Sequence, residues 1–251
     1  PFATGAPARV ARTCRSGADR AAGAHPHCWG PPTGDIQRQQ AVGAANDIRA
    51  IDGERFPALA EYLRSLPGGL ASYPGATSLG IILKSAIASH YFHPSWKKLP
   101  REIIAVASAP PLPTSWVSTV LTDAIFCLVA DTFYPSQDAM LRWNYERTAR
   151  LAKVPMYKSL TRLSGVENFL KVASRIHGLF QRGTDLDIEI VPEGAYVALR
   201  HPPHLHGRLN HLSNEGVFRA VLESAGARDA TVALVESTPT LARYDARWTK
   251  S

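Results

Sequence analysis

The 251 residues suffice to bury a substantial core, and with 45% hydrophobic and 20% charged residues most of the chain is globular rather than disordered. The net charge of +7 raises nucleic acid and acidic membranes as partners. Five of the arginines (Arg9, Arg12, Arg15, Arg20 and Arg38) lie in the first 40 residues, and no basic stripe with interleaved aromatics follows, so nucleic acid is not expected.

Residues 1–44 are rich in Ala, Gly, Pro and Arg and carry no helical or strand period. They are expected to be a disordered tail or a translated, non-native upstream segment, with residues 45–251 forming one domain. Cys14, Cys28 and Cys127 are too widely spaced for a disulfide framework or a CxxC zinc pair, which suits a cytoplasmic setting. His25, His27 and Cys28 are too few to hold a metal without further ligands. The first thirty residues have no apolar segment of the kind that directs secretion.

Pro57 opens a helix with Leu59, Tyr62, Leu63 and Leu66 on one face, stopped by Pro67-Gly68-Gly69. A second helix is expected from Thr77 to Phe92 and a third after Pro100. Thr114 or Ser115 caps a long apolar helix ending at Tyr134-Pro135. The interruptions at Thr122, Asp123 and Asp131 make that run a buried helix rather than a membrane span. Ser136 caps the next helix. Ser164-Gly165-Val166-Glu167 reads as a capping box for the one after, which Gly183 ends.

The period then changes from 3.6 to 2. Leu186, Ile188 and Ile190 alternate with Asp187 and Glu189, a turn follows at Pro192-Glu193-Gly194, and AYVALRH returns antiparallel. A helix from about Glu215 to Ser224, closed by Gly226, precedes two more strands, ATVALVE and LARYDARW. The expected architecture is α+β: an N-terminal helical layer on a small four-stranded antiparallel sheet, with hairpin, helix and hairpin at the C-terminus.

Several of these pieces resemble an uncharacterised, mainly myxobacterial domain family. They are the capped helix with Phe169, the strands over 186–199, the helix VFRAVLESAGA running into a strand, the closing Tyr244-Asp-Ala-Arg-Trp248, and upstream GGLASYPGATSLGIIL with Tyr73-Pro74. The resemblance spans about residues 56–248, although LTDAIFCLVADTFYP stands where that family usually carries a Gly-Arg pair. It implies a fold and no activity. The chain is also similar to the ligand-binding fold of haem nitric-oxide sensors and vinyl-reductase-type (4VR) domains. The haem branch of that fold holds propionates with Tyr-x-Ser-x-Arg. Here Tyr157, Ser159 and Arg162 are one residue too far apart, and the nearest upstream histidine is His93, so no cofactor is expected.

Three candidate sites stand out. The first is the run HPPHLHGRLNH, with His201, His204, His206 and His211. It contains no Asp, Glu or Cys and is flanked by Arg200 and Arg208, so a surface loop is the favoured reading over a metal site. The second is a set of aromatic residues (Tyr134, Trp143, Tyr145, Tyr157, Phe169 and Phe180) that could line a pocket between helices and sheet, with plain core packing as the more ordinary account. The third is the carboxylates Asp123, Asp131, Asp138 and Glu146, for which ion pairing, with Arg142, Arg147 and Arg150 as available partners, or a polar helix edge is expected. His177, His90 and His93 read as hydrogen-bonded or capping residues.

No nucleophile elbow, phosphate loop, dinucleotide fingerprint or HExxH is present. The reading is a non-catalytic regulatory or small-ligand-binding module. The alternatives are a metal-assisted hydrolase using the 201–211 histidines, and a protein-interaction scaffold using an edge strand such as LARYDARW. The partners considered are an apolar small molecule, a second copy of the chain, or another protein.

Overall fold

The computed structural model describes residues 51–155, 157–158 and 165–249. The expectations for residues 1–44 and for Ser164 lie outside these residues.

Helix α1 (Pro57–Ser65) begins at its proline and buries Leu59, Ala60, Tyr62 and Leu63. Its first turn is capped from a distance: the Asp131 carboxylate accepts from the amides of Ala58 (3.1 Å) and Leu59 (3.0 Å). A carboxylate at a helix N-terminus is favoured both by the free amides and by the helix dipole.

The helix expected from Thr77 is shorter. Residues Thr77–Leu79 form strand β1, and the helix, α2, covers Gly80–Ile87. The backbone groups of β1 are taken by β2 (Trp116–Ser118) on one side and β3 (Gln181–Arg182) on the other, both antiparallel. This small sheet had no sequence signal, because strands of two or three residues show no period. Helix α3 covers Arg101–Ser108.

Helix α4 (Thr119–Phe133) is buried on nearly every side, as its apolar run requires. Its cap is Ser118, whose hydroxyl accepts from the Leu121 amide, and neither Thr114 nor Ser115. Ser136 caps α5 (Gln137–Ala152) as expected, accepting from the Ala139 amide. Helix α6 (Val166–Gly178) starts behind Gly165, which sits at φ 92° where a side chain would be strained.

The C-terminal part has the expected alternation. Strands β4 (Asp185–Val191) and β5 (Gly194–Arg200) form one hairpin. Strands β6 (Arg228–Thr238) and β7 (Leu241–Thr249) form the other. Between them lies α7 (Arg208–Ser224), two turns longer at its start than the sequence suggested. The four strands are antiparallel in the order β4-β5-β7-β6. LARYDARW therefore occupies an interior position, paired on both sides, and not the edge on which an interaction scaffold would depend. The edges are β4 and β6.

One face of this sheet presents Val197, Leu199, Ala242, Tyr244 and Ala246, all buried. The other carries Tyr196, Arg243 and Asp245, the two-residue alternation of a half-covered sheet. Helix α6 lies against β4, and α7 against β6. Helix α5 packs on α7, and α4 on α1, α2 and α3.

The α5–α7 crossing is tight at Gly216: a Cβ there would stand 2.8 Å from the Leu141 carbonyl oxygen and 3.0 Å from the Tyr145 amide. Gly216→Val is expected to lower the free energy of unfolding by about 1–3 kcal/mol through overpacking, read by urea denaturation. An unchanged midpoint would mean the helices separate at no cost.

Candidate functional site

The sheet, α6 and α7 on one side and α4 and α5 on the other border a cavity of about 250 Å³. Its wall is mostly apolar. Helix α6 contributes Phe169, Leu170, Ala173 and Ile176, and the sheet contributes Ile188, Ala195, Val197 and Leu199. Helix α7 adds Val217 and Val221. The alternation of the strands and the 3.6-residue period of the helices turn these residues to a common interior.

Polar groups enter this wall at a few points. From α4 comes Asp123, from α5 Asn144, Arg147 and Thr148, and from the start of α7 Asn210 and Ser213. His206, just before α7, also lines the cavity. Most are already engaged. Asn144 donates from Nδ2 to the Ser213 carbonyl (2.8 Å), tying α5 to α7. Its Oδ1 accepts from Arg147 Nε (2.9 Å) and Nη2 (2.6 Å). Among the described residues, three buried atoms on lining residues have no partner: His206 Nε2, Asn210 Nδ2 and Thr148 Oγ1. An unmet buried polar group costs about 1–3 kcal/mol, so three around one space constitute a demand for a partner.

The histidine run is not a surface loop. His201, His206 and His211 are 7%, 5% and 1% exposed. The loop is pinned by the Tyr62 hydroxyl donating to the Leu205 carbonyl (2.7 Å) and the Tyr73 hydroxyl donating to the Pro203 carbonyl (2.6 Å). The His204 amide reaches the Pro239 carbonyl (2.6 Å), holding His204 at φ 60°.

The protons of the three buried rings follow from their partners. A carbonyl can only accept, so His201 Nδ1 carries the hydrogen that meets Pro202 O at 2.9 Å. A neutral His201 then offers its Nε2 lone pair, and His211 Nε2 donates to it across 2.9 Å. His211 Nδ1 is left to accept from the Ser237 hydroxyl at 2.8 Å. His206 Nδ1 donates to Asp123 Oδ2 at 2.6 Å, and its Nε2 has no partner among the described residues. Burial lowers His201 to about 4 and His211 to about 3, with His206 nearby as the next cause. His177, on the cavity wall with Nε2 against Thr184 Oγ1 (2.8 Å), is lowered by burial to about 4.

The loop therefore brings three of its four histidines together, and His204 takes no part in the hydrogen-bonded chain. Two of the three share one hydrogen bond with each other. Among the described residues no group of three or more His, Cys, Asp or Glu is placed to hold a metal ion.

Of the six aromatic candidates, Tyr157, Phe169 and Phe180 line the cavity, with Tyr157 and Phe180 stacked at 4.8 Å. The other three do not. Trp143 is buried in the helical core with Tyr134 packed beside it. Tyr145 donates its hydroxyl to Glu223 in a separate surface depression.

The carboxylates also differ from expectation. Asp123 meets a histidine and Asp131 a helix N-terminus, and Arg147 takes neutral partners; only Glu146 pairs with an arginine of its own helix, Arg150, at 3.9 Å. Asp123 could have been singled out, because a lone acid in a run buried all round requires a partner. Asn144 and Asn210 carry no comparable signal. His90 and His93 do cap: His90 Nδ1 meets the Ala86 carbonyl, and His93 Nδ1 accepts from the Ser95 amide.

No family model matches the chain, and no curated protein matches it. Among solved structures it is similar to H-NOX domains. One is an oxygen-binding H-NOX domain related to soluble guanylate cyclases, at 11% identity and TM-score 0.45 over 68% of this chain and 93% of that one. Another is a mutant H-NOX from T. Tengcongensis, at 11% identity and TM-score 0.46 over 68% of this chain and 98% of that one. A third is a Cs H-NOX mutant, at 12% identity and TM-score 0.47 over 68% of this chain and 94% of that one. Likeness at this level fixes neither the ligand nor the chemistry of this chain.

Proposed function

We propose that this protein is a small-molecule-binding module, and that the ligand occupies the cavity between helices and sheet. The observation that carries this reading is the coincidence of a mostly apolar cavity with lining residues whose buried polar atoms have no partner among the described residues: His206 Nε2, Asn210 Nδ2 and Thr148 Oγ1. The apolar wall supplies affinity, and the few polar groups fix orientation.

The volume bounds the ligand. A cavity of about 150 Å³ lined by apolar residues takes benzene, so by proportion about 250 Å³ takes roughly ten non-hydrogen atoms. A porphyrin is several times larger. His206 has an unpartnered nitrogen and a carboxylate behind its ring, but a cavity of about 250 Å³ does not fit a haem, and Ser159 and Arg162 lie outside the described residues.

The metal-assisted hydrolase reading has less support. His201 and His211 are bonded to each other, and Asp123 is engaged with His206.

The test is differential scanning of the full chain against compounds of about ten non-hydrogen atoms, alongside Leu170→Trp, which fills the wall from α6. At least one compound is expected to raise the melting temperature of the native chain. None should shift the variant, which itself melts at or above the native temperature. A panel that shifts neither protein, or shifts both equally, overturns the reading.

A further inference from the structure

The charge of the ligand is also written in the wall. Building on the cavity reading above, we propose that the bound molecule is an organic monoanion, its acidic group held by Arg147 and its body by the apolar wall.

Arg147 is 5% exposed and lines the cavity. A guanidinium is almost never buried without a counter-charge, because removing it from water costs several kcal/mol. Yet among the described residues no carboxylate forms an ion pair with it. The nearest acid in sequence, Glu146, pairs with Arg150, and the acid on the cavity wall, Asp123, is bonded to His206.

Its partners are all neutral. Nε and Nη2 donate to Asn144 Oδ1, and Nη1 donates to Ser85 Oγ at 2.7 Å. Its faces lie over aromatic rings, 4.8 Å from Phe126 and 5.7 Å from Trp143. These contacts hold the group rigidly but do not neutralise it. Of five N–H groups, three are used, leaving one on each of Nη1 and Nη2. Two such hydrogens suit a carboxylate, which accepts a pair in parallel.

Burial lowers Arg147 to about 10, with Arg150 adding to the effect and Tyr157 opposing it. An anion alongside relieves that cost. Thr148, the next residue on α5, adds an unpartnered hydroxyl on the same wall.

Three probes of about ten non-hydrogen atoms separate charge from shape: octanoate, nonan-1-ol and nonylamine. Calorimetric titration of the native chain is expected to show octanoate binding at least tenfold more tightly than nonan-1-ol, with nonylamine weakest. Arg147→Met should erase the preference for octanoate over the alcohol, and Arg147→Lys should keep part of it. The comparison within the native chain stands even if a variant fails to fold. If the alcohol binds as tightly as octanoate, or more tightly, and Leu170→Trp blocks both, the anion proposal falls while the cavity reading stands. If none of the three binds, both fall.

Discussion

Replacing His206 with leucine is expected to lower the free energy of unfolding by about 3–5 kcal/mol, the cost of leaving one member of a buried polar pair without its partner. The imidazole and the Asp123 carboxylate are both nearly inaccessible, with side chains 4% and 9% exposed, and meet at 2.6 Å. In the leucine variant the carboxylate faces an apolar side chain in a site water does not reach. It must then take up a proton or draw the loop away from α4. Asp123→Leu alone should cost a similar amount, because it strands the imidazole. The double variant removes both polar groups and should be less destabilised than the two single variants combined. Urea denaturation of the four proteins gives the coupling. Single substitutions costing less than about 1 kcal/mol would mean that the pair does not hold the loop to the helical layer.

Acid should weaken the fold well above the range where carboxylates titrate. His177, His201 and His211 are held neutral by burial, at about 4, 4 and 3 in the folded chain against an ordinary value of 6.5. Between those values the unfolded chain binds more protons than the folded one, so stability rises with pH. The stabilisation is complete above about pH 6.5 and is lost progressively as pH falls toward 4 and 3. Each histidine steepens the dependence by up to about 1.4 kcal/mol per pH unit. Denaturation midpoints at pH 8, 6 and 5 should fall in that order, and His211→Gln should flatten the slope. Midpoints that do not change from pH 8 to 5 would contradict the assignment of neutral, buried rings.

The elements legible in the sequence were those whose own period or caps define them. Leu186, Ile188 and Ile190 announce a strand without reference to the rest of the chain, and Ser136 announces a helix start. The small β1–β2–β3 sheet joins segments about forty and one hundred residues apart through strands too short to alternate. Strand β7 was visible as a strand but not as an interior one, since alternation gives no neighbour order.

The site was half legible for the same reason. Four histidines in one loop are conspicuous, but Pro202, Pro203, Arg200 and Arg208 suggest a solvated turn. What buries them is distant: Asp123 is 83 positions from His206, and Tyr62 is 143 positions from Leu205. Tyr157, Phe169 and Phe180 reach the cavity because their elements border it, whereas Tyr134, Trp143 and Tyr145 belong to other faces of the same helical layer. Arg147 could be read as an ion-pair residue from its charged neighbours. Its position on the buried side of α5 is what separates it from the carboxylates, none of which pairs with it among the described residues.

The occupancy of the cavity is tested most directly by methyl-detected NMR titration of the full chain with octanoate. The account predicts shifts at the methyls of Leu170, Ile176, Ile188, Val197 and Val217, with Leu63 and Leu83 in the helical core undisturbed. Unmoved cavity methyls at saturating octanoate, or shifts confined to the helical core, would contradict it.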